Sequence, residues 1–240
     1  MSAGLVPLRA RDVVKAYGRG GLQVEVLHGV SLSLAPGELT LLMGPSGSGK
    51  TTLISLCAGL LRADGGEVEL CGHRISGMSD AEVARVRRRH LGFVFQDASL
   101  FPALTALDNV TEILLMKGGG RRRDARERAA IALDAMHLGH RLHHKPAQMS
   151  GGEKQRVAIA RALAGDPDLV LGDEVTAALD GHTAMSVLEL LRAQLGPRRT
   201  MLLVTHDHRL EPYADRVIRM EDGQVVGDGP GGWGRTTEVS

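Results

Sequence analysis

Short apolar segments alternate with longer amphipathic stretches along most of the chain. An almost wholly apolar segment of this length is typical of a strand buried on both faces. The four clearest examples are 39–43, 91–95, 169–172 and 201–204. Because strands that alternate with helical stretches indicate crossover connections, the pattern predicts an α/β fold with a mainly parallel core sheet. Three N-terminal segments have the pattern of strands with one exposed face: 8–14, 23–34 and 67–70. They predict a small antiparallel sheet beside the core.

The strand pattern fades in the middle of the chain, where a helical pattern dominates and is interrupted by glycine and proline. We therefore predict a helical lobe, 96–165, inserted into a core formed by 1–95 and 166–228. The antiparallel sheet belongs to that core as a subdomain. The end of the chain, 229–240, is rich in glycine and polar residues, which predicts a flexible tail.

Composition and charge narrow the function classes. The 29 basic and 28 acidic side chains nearly cancel, and only six residues are aromatic, so neither a global field nor a base-stacking surface favours a nucleic-acid binder. The two cysteines lack metal-ligand spacing, and we expect both to be small buried hydrophobes. Neither a signal peptide nor an apolar run of about 18 residues is found, which favours a cytosolic protein.

The segment after the predicted strand 39–43 has the pattern GxxxxGK[ST] of a phosphate-binding loop, and a helix is predicted after it over 51–61. The glycines let backbone N–H groups point at phosphate oxygens, and the helix N-terminus adds its positive dipole end. The lysine would reach the β and γ phosphates of a nucleoside triphosphate, and the threonine hydroxyl would ligate magnesium. The predicted nucleotide-binding residues are Gly44, Pro45, Ser46, Gly47, Ser48, Gly49, Lys50, Thr51 and Thr52.

Two carboxylates, Asp173 and Glu174, follow the apolar segment 169–172. We expect this strand to neighbour the one before the phosphate loop, because ligands of open α/β sheets bind at the carboxyl ends of strands. Asp173 is then a candidate magnesium ligand together with Thr51. Glu174 is a candidate general base that polarises an attacking water.

A second glycine-rich element, residues 149–156 with the sequence MSGGEKQR, precedes the acidic pair. It resembles the LSGGQ signature of ABC-type ATPases. Ser150, Gly151 and Gly152 form a donor-rich start for the following helix, which makes a second anion-binding helix N-terminus. The resemblance implies a P-loop NTPase fold of the ABC type. It also implies that ATP and Mg²⁺ bind between two copies of the chain arranged head to tail, since the signature lies far from the phosphate loop of its own subunit.

The resemblance covers nearly the whole chain and implies roles for four further residues. Tyr17 stacks on adenine, Gln96 touches magnesium and joins the core to the helical lobe, and Asp180 lies in a loop that crosses the dimer interface. His206 contacts the γ-phosphate. The implied catalytic residues are therefore Glu174, His206 and Gln96.

Three positions depart from the usual sequence of that family. Val175 stands where a proline follows the catalytic glutamate, which removes a fixed φ from the backbone between Glu174 and Asp180. Met149 replaces leucine with little change in volume, and Ala177 replaces a serine hydroxyl. We expect hydrolysis to be retained, and coupling through this loop to be the step that these changes affect.

Within the family, residues 85–96 and 174–180 most resemble the subgroup that powers macrolide export, lipoprotein release and heterocyst glycolipid export. The resemblance implies an ATPase that closes as a homodimer and drives export or extraction through a separate transmembrane permease. A periplasmic adaptor reached through that permease is a further implied partner, whereas nucleic acid is not. Such a subunit lies on the cytoplasmic face of the inner membrane.

Two alternatives to transport stay open at the level of the sequence. The same ATP switch could regulate a membrane complex of the cell-division type, and only the membrane partner would distinguish the two. An ABC-type ATPase acting on nucleic acid or the ribosome usually has a long coiled-coil insertion or two ATPase units, and this sequence has neither.

Overall fold

The computed structural model describes residues 6–18, 23–118, 120–177 and 179–232. Within these ranges the chain forms ten strands and six α-helices. The strands are β1 (Leu8–Tyr17), β2 (Val24–Leu34), β3 (Leu39–Met43), β4 (Gly65–Leu70), β5 (His73–Arg74), β6 (Leu91–Val94), β7 (Leu169–Asp173), β8 (Thr200–Val204), β9 (Arg216–Glu221) and β10 (Gln224–Pro230). The helices are α1 (Lys50–Cys57), α2 (Asp80–His90), α3 (Ala106–Met116), α4 (Arg122–Asp134), α5 (Gly151–Leu163) and α6 (Gly181–Ala193).

A six-stranded sheet with the order β10-β9-β3-β8-β7-β6 forms the centre of the fold. All of its strand pairs are parallel except the β9–β10 hairpin at one edge. Successive residues of the central strands contribute to two different apolar clusters: Leu41 and Leu203 belong to one, and Leu42 and Leu202 to the other. The sheet is therefore buried on both faces, and the predicted α/β fold with a mainly parallel core sheet is confirmed.

Different elements pack on the two faces of the central sheet. The first face packs against α3, α4, α5 and α6, and residues 96–165 contain three of these helices. The second face packs against α1, α2 and a four-stranded antiparallel sheet with the order β2-β1-β4-β5. The antiparallel sheet predicted from the N-terminal segments is therefore present, with β5 as an additional short strand.

The first helix is shorter than the predicted helix 51–61, so that prediction is wrong at its C-terminal end. Helix α1 ends at Cys57, and Gly59 follows with a φ of 63°. The N–H groups of Gly59 and of the next residue donate to the carbonyls of Leu56 and Ser55, both at 2.9 Å. These two hydrogen bonds form a Schellman motif, which ends the helix at a residue able to adopt a left-handed conformation.

The predicted tail 229–240 is wrong at its start, because β10 continues to Pro230. Gly231 also donates a backbone hydrogen bond to the Asp215 carbonyl at 2.8 Å, so the chain stays attached beyond the strand. The rest of that tail lies outside the described residues. Both cysteines, Cys57 and Cys71, are buried and free, as expected. None of the described helices combines the length and the apolar character needed to cross a bilayer.

Candidate functional site

The phosphate loop connects β3 to α1 and brings the free N–H groups of a helix start to the carboxyl edge of the central sheet. The loop passes close to β9: a Cβ on Gly44, whose φ is 149°, would overlap the Met220 carbonyl oxygen. Only glycine fits there. The loop itself contains Pro45, Ser46, Gly47, Ser48 and Gly49, and the first turn of α1 contains Lys50, Thr51 and Thr52.

The Lys50 ammonium lies buried inside this loop. It donates to two loop carbonyls, of Gly44 at 2.8 Å and Pro45 at 2.6 Å, and to a third oxygen, the Ser48 hydroxyl, at 3.2 Å. Burial lowers the pKa of Lys50, and the nearby Glu174 and Asp173 carboxylates oppose that shift. An ammonium held by loop carbonyls, next to the free N–H groups at the start of α1, is an arrangement that can bind a polyphosphate.

Asp173 ends β7, and its position corrects one expectation. The strand before the phosphate loop is not its neighbour, because β8 lies between β3 and β7. The residues still meet, because α1 packs against both β8 and β7 and brings the Thr51 hydroxyl to 3.3 Å from an Asp173 carboxylate oxygen. Sheet order depends on long-range packing, which a local apolar pattern does not encode.

The Thr51 and Asp173 pair fits a magnesium ion by its donor set. Burial raises the pKa of Asp173, the Thr51 hydrogen bond opposes this, and the Glu174 charge adds to it. A hydroxyl and a partly buried carboxylate are hard oxygen donors, and Mg²⁺ is bound in proteins by one or two carboxylates together with substrate phosphates. The described hydrogen bonds of Gln96 lead to Glu174 and not to this pair.

Glu174 is the residue on which three strand ends converge. It follows β7 with a φ of 46°, and its N–H donates to the Val204 carbonyl of β8 at 3.1 Å. The Gln96 amide, just beyond β6, donates to one carboxylate oxygen at 3.3 Å. The His206 Nδ1, just beyond β8, lies 3.4 Å from the other. The structure thus brings the three predicted catalytic residues together.

The signature segment starts α5, with Gly151 and Gly152 in its first turn. The Ser150 hydroxyl accepts from the Glu153 N–H at 3.2 Å, and the Glu153 carboxylate accepts from the Ser150 N–H at 2.8 Å, which forms a capping box. Arg141 also donates to Glu153 at 2.8 Å. The Ser150 N–H bond in particular lowers the pKa of Glu153. The start of α5 is therefore held in place by its own capping box and by Arg141 of the same subunit.

Asp180 lies beside this helix start. It caps α6 by accepting from the Thr183 N–H at 3.0 Å. A Cβ on Gly152 would lie 2.7 Å from a methyl carbon of Thr183, so the starts of α5 and α6 touch. None of the hydrogen bonds described for Ser150 or Asp180 reaches the phosphate loop. Helices α5 and α6 pack on one face of the central sheet and α1 packs on the other, so the two predicted halves of the nucleotide site begin helices on different faces of one subunit.

A cavity of about 370 Å³ adjoins Glu174 and His206, and it includes residues that the sequence did not mark. Asp207 and Arg209 form a bidentate pair there, with N to O distances of 2.7 and 2.8 Å. The Arg209 hydrogen bond lowers the pKa of Asp207. A Cβ on Gly181 would lie 2.6 Å from Arg209, so this pair links the His206 loop to α6. Proximity to His206 in the sequence is the one signal that could have found it.

Tyr17 ends β1 and is 44% exposed, so part of this aromatic side chain is accessible from solvent. The Lys15 ammonium lies 5.6 Å from the ring centroid. Tyr17 pairs with Val24 of β2, and Val26 of the same strand approaches Gly49, so the ring belongs to the strand pair next to the phosphate loop.

Comparison with known proteins identifies the family. The sequence profile described as ABC transporter matches residues 27–177. The chain is 46% identical over 220 residues to the lipoprotein-releasing system ATP-binding protein LolD of Pseudomonas fluorescens. This alignment covers 91% of this chain and 96% of that LolD. The chain is 42% identical over 226 residues to the macrolide export ATP-binding/permease protein MacB of Brucella melitensis, which covers 94% of this chain. The chain spans only 35% of the length of that MacB.

Solved structures give the same result at the level of the fold. A dimeric post-hydrolysis structure of an ATP-binding cassette bound to ADP and Pi is 37% identical, with a TM-score of 0.86 over 93% of this chain and 98% of that chain. The cbiO1 protein of Clostridium perfringens, described as part of the ABC transporter complex cbiONQ, is 28% identical with a TM-score of 0.82 over 94% of this chain and 88% of that chain. The chain therefore belongs to the ABC transporter family and has the fold of its ATP-binding cassettes.

Proposed function

We propose that this chain is the subunit of an ABC exporter that binds and hydrolyses ATP and drives a separate membrane permease. The observation that carries the proposal is the convergence of Gln96 and His206 on Glu174, at the sheet edge that also holds Lys50. The names of LolD and MacB support an export or release system. Both relatives align with more than nine-tenths of this chain.

Within one subunit, the proposed roles follow from charge and position. Lys50 and the N–H groups of the phosphate loop hold the polyphosphate, while Thr51 and Asp173 hold Mg²⁺. A bound Mg²⁺ neutralises charge on the phosphates. Glu174 accepts a proton from the attacking water, and His206 and Gln96 orient that water and the carboxylate.

Two copies are needed in this proposal because Ser150 and Asp180 lie apart from the phosphate loop of their own subunit. In a head-to-tail homodimer, the start of α5 in one copy faces the γ-phosphate bound by the other, and Tyr17 stacks on adenine. ATP is then part of the interface, so its binding closes the dimer and its hydrolysis allows reopening. The dimeric cassette structure bound to ADP and Pi supports this arrangement.

The permease partner is proposed to dock on an apolar groove of about 500 Å³ between α2, β6 and α3. Its apolar lining includes Leu60, Phe93 and the exposed Met116, and Arg85 and Arg88 lie at the same groove. Motion of the lobe, 96–165, relative to the core would be transmitted there. The subunit then works at the cytoplasmic face of the inner membrane, and a periplasmic adaptor is reached through the permease.

The direct test is affinity purification from detergent-solubilised membranes with Glu174→Gln as bait. This substitution keeps the side-chain shape but removes the base, so ATP should trap the closed dimer with its partner. The matched control adds Gly44→Ala, whose extra methyl would overlap the Met220 carbonyl oxygen, so this variant should not bind ATP and should release the partner. Recovery of a permease only with ATP and only without the control substitution supports the proposal.

Three other outcomes would contradict the export proposal. Nucleic acid or ribosomes recovered with the bait would favour a nucleic-acid ATPase. A membrane complex of the cell-division type, without transport activity in vesicles, would favour a regulatory switch. A partner that stays bound to the double variant would show that ATP-driven closure does not control the complex.

A further inference from the structure

The edge of the central sheet opposite the nucleotide site carries a second group of polar side chains. Leu91 of β6 pairs with Leu169 of β7 in parallel register, so the residues just before them, His90 and Asp168, lie side by side. The His90 Nδ1 is 2.6 Å from an Asp168 carboxylate oxygen. Glu174 lies beyond the other end of β7, so this pair is separated from it by the length of the strand.

The third member of the group comes from the antiparallel sheet. Cys71 lies in the turn between β4 and β5, with a φ of 48°, and is 3% exposed. Its N–H donates to the Pro7 carbonyl at 2.9 Å, which holds the turn against the start of β1. One donor atom from each residue lies within 4.8 Å of the other two: the sulfur of Cys71, a ring nitrogen of His90 and a carboxylate oxygen of Asp168.

We propose that Cys71, His90 and Asp168 form a site for a divalent cation that accepts thiolate, imidazole and carboxylate ligands, with Zn²⁺ as the best match. Thiolate sulfur, imidazole nitrogen and carboxylate oxygen are the three donor types that tetrahedral Zn²⁺ takes from proteins. Among the described residues, this is the only group of three such side chains close enough to share an ion.

The fourth position has a candidate in the first residue of β5, directly after the turn. His73 is exposed, and its ring centroid lies 5.5 Å from that of His90. A small rotation of an exposed side chain costs little, so His73 or a water completes a tetrahedral site. With His73 the site is closed, as in structural zinc sites. With water it keeps one exchangeable position.

Charge at the site is compatible with a bound dication. Burial, with a contribution from Asp168, raises the pKa of Cys71 to about 12, so the thiol holds its proton at neutral pH. On binding, the S–H proton passes to buffer and the sulfur bonds to the metal. The thiolate and the Asp168 carboxylate together balance two positive charges. Lys117, whose ammonium donates to the Leu91 carbonyl at 3.3 Å and is attracted by Asp168, is the cation that competes for this carboxylate.

The proposed site joins the two sheets and is independent of the proposed transport function. Cys71 belongs to the antiparallel sheet, whereas His90 and Asp168 precede two strands of the central sheet. A bound cation would therefore cross-link parts of the chain that are distant in sequence. We expect it to raise the thermal stability of the protein in proportion to its occupancy and to leave the nucleotide site unaltered.

The test uses Co²⁺ as a spectroscopic probe on the full chain, kept reduced with a phosphine. Wild type should develop the near-ultraviolet thiolate-to-cobalt charge-transfer band and the visible bands of tetrahedral cobalt, and Zn²⁺ should displace them. Cys71→Ser should lose the thiolate band. Cys57→Ser is the matched control, because Cys57 is buried in α1 outside the group, and it should keep the band. Histidines elsewhere can bind cobalt but cannot produce a thiolate band.

A second variant guards against misfolding of the cysteine variant. Asp168→Asn keeps the shape of the side chain and should weaken Co²⁺ binding at least about tenfold, with ATP binding unchanged. In wild type, Zn²⁺ should raise the melting temperature, and Asp168→Asn should reduce that rise. Absence of a thiolate band in folded wild type, or the same band and the same affinity in both site variants, would overturn the proposal.

Discussion

Asn109 provides a stringent test of how the structure stabilises the region beside Gln96. This residue, the only asparagine of the chain, is fully buried in the first turn of α3. Its Oδ1 accepts from the Phe101 N–H at 2.8 Å. Its Nδ2 donates to the carbonyls of Phe101, Leu104 and Thr105 at 3.2, 3.3 and 3.0 Å. One side chain thus holds the loop that leads into α3.

The magnitude follows from which groups keep another partner after Asn109→Ala. The Thr105 carbonyl still accepts from the N–H of residue 109 at 2.9 Å, and the Phe101 carbonyl from the Leu104 N–H at 3.1 Å. The Phe101 N–H and the Leu104 carbonyl lose the only hydrogen bonds described for them. Four hydrogen bonds are lost in all, and at about 0.5–1 kcal/mol each we expect a loss of about 2–4 kcal/mol.

Urea denaturation followed by circular dichroism measures this change in the free energy of unfolding. Thr111→Val is the matched control, because Thr111 is also fully buried in α3 but its hydroxyl makes one hydrogen bond, to the Leu107 carbonyl at 2.6 Å. That carbonyl keeps its helical bond, so the control should lose less than about 1 kcal/mol. Equal losses in the two variants, or a loss below about 0.5 kcal/mol for Asn109→Ala, would refute the reasoning.

Three further predictions concern the nucleotide site and the β9–β10 hairpin. Gly44→Ala should abolish binding of a fluorescent ATP analogue, because the added methyl would overlap the Met220 carbonyl oxygen; binding near wild-type affinity would contradict this. Lys50→Met should weaken ATP binding about ten- to a hundredfold in calorimetry, since charge-assisted bonds of about 1.5–3 kcal/mol are lost; an unchanged affinity would exclude the phosphate contact. Hydrogen bonds from Arg216 lower the pKa of Asp228. The ionised Asp228 therefore stabilises the folded protein fully above about pH 4, and this contribution is lost as pH falls further. Asp228→Asn should therefore reduce the difference in urea midpoint between about pH 3 and about pH 7, and an unaltered difference would show that the pair contributes nothing.

Local signals were sufficient for the parts of the site that a single segment builds. The phosphate loop was predicted from glycine spacing between a strand and a helix, and Lys50 occupies the first residue of that helix. The sequence predicts a helix start at Ser150, Gly151 and Gly152, and the structure has a helix start there, with a capping box formed by Ser150 and Glu153. Such features depend on neighbours within a few residues, so the sequence pattern contains them.

Long-range packing decided what the sequence pattern missed. The insertion of β8 between β3 and β7 follows from the association of strands far apart in the chain, and so does the juxtaposition of His90 with Asp168. The bidentate Asp207–Arg209 pair and its contact with α6 have no periodic or spacing signal. The predicted helix 51–61 includes Gly59, whose left-handed backbone ends the helix after Cys57 in the structure.

The central claim of the proposed function is that ATP joins two copies of this chain. It is tested most directly by the mass of purified Glu174→Gln in sedimentation velocity, with and without ATP and Mg²⁺. The account predicts a monomer without nucleotide and a dimer with ATP. Adding Ser150→Arg should restore the monomer while ATP binding persists, because an arginine at the start of α5 blocks the facing phosphates. One mass under both conditions, or a dimer that Ser150→Arg leaves intact, would contradict the claim.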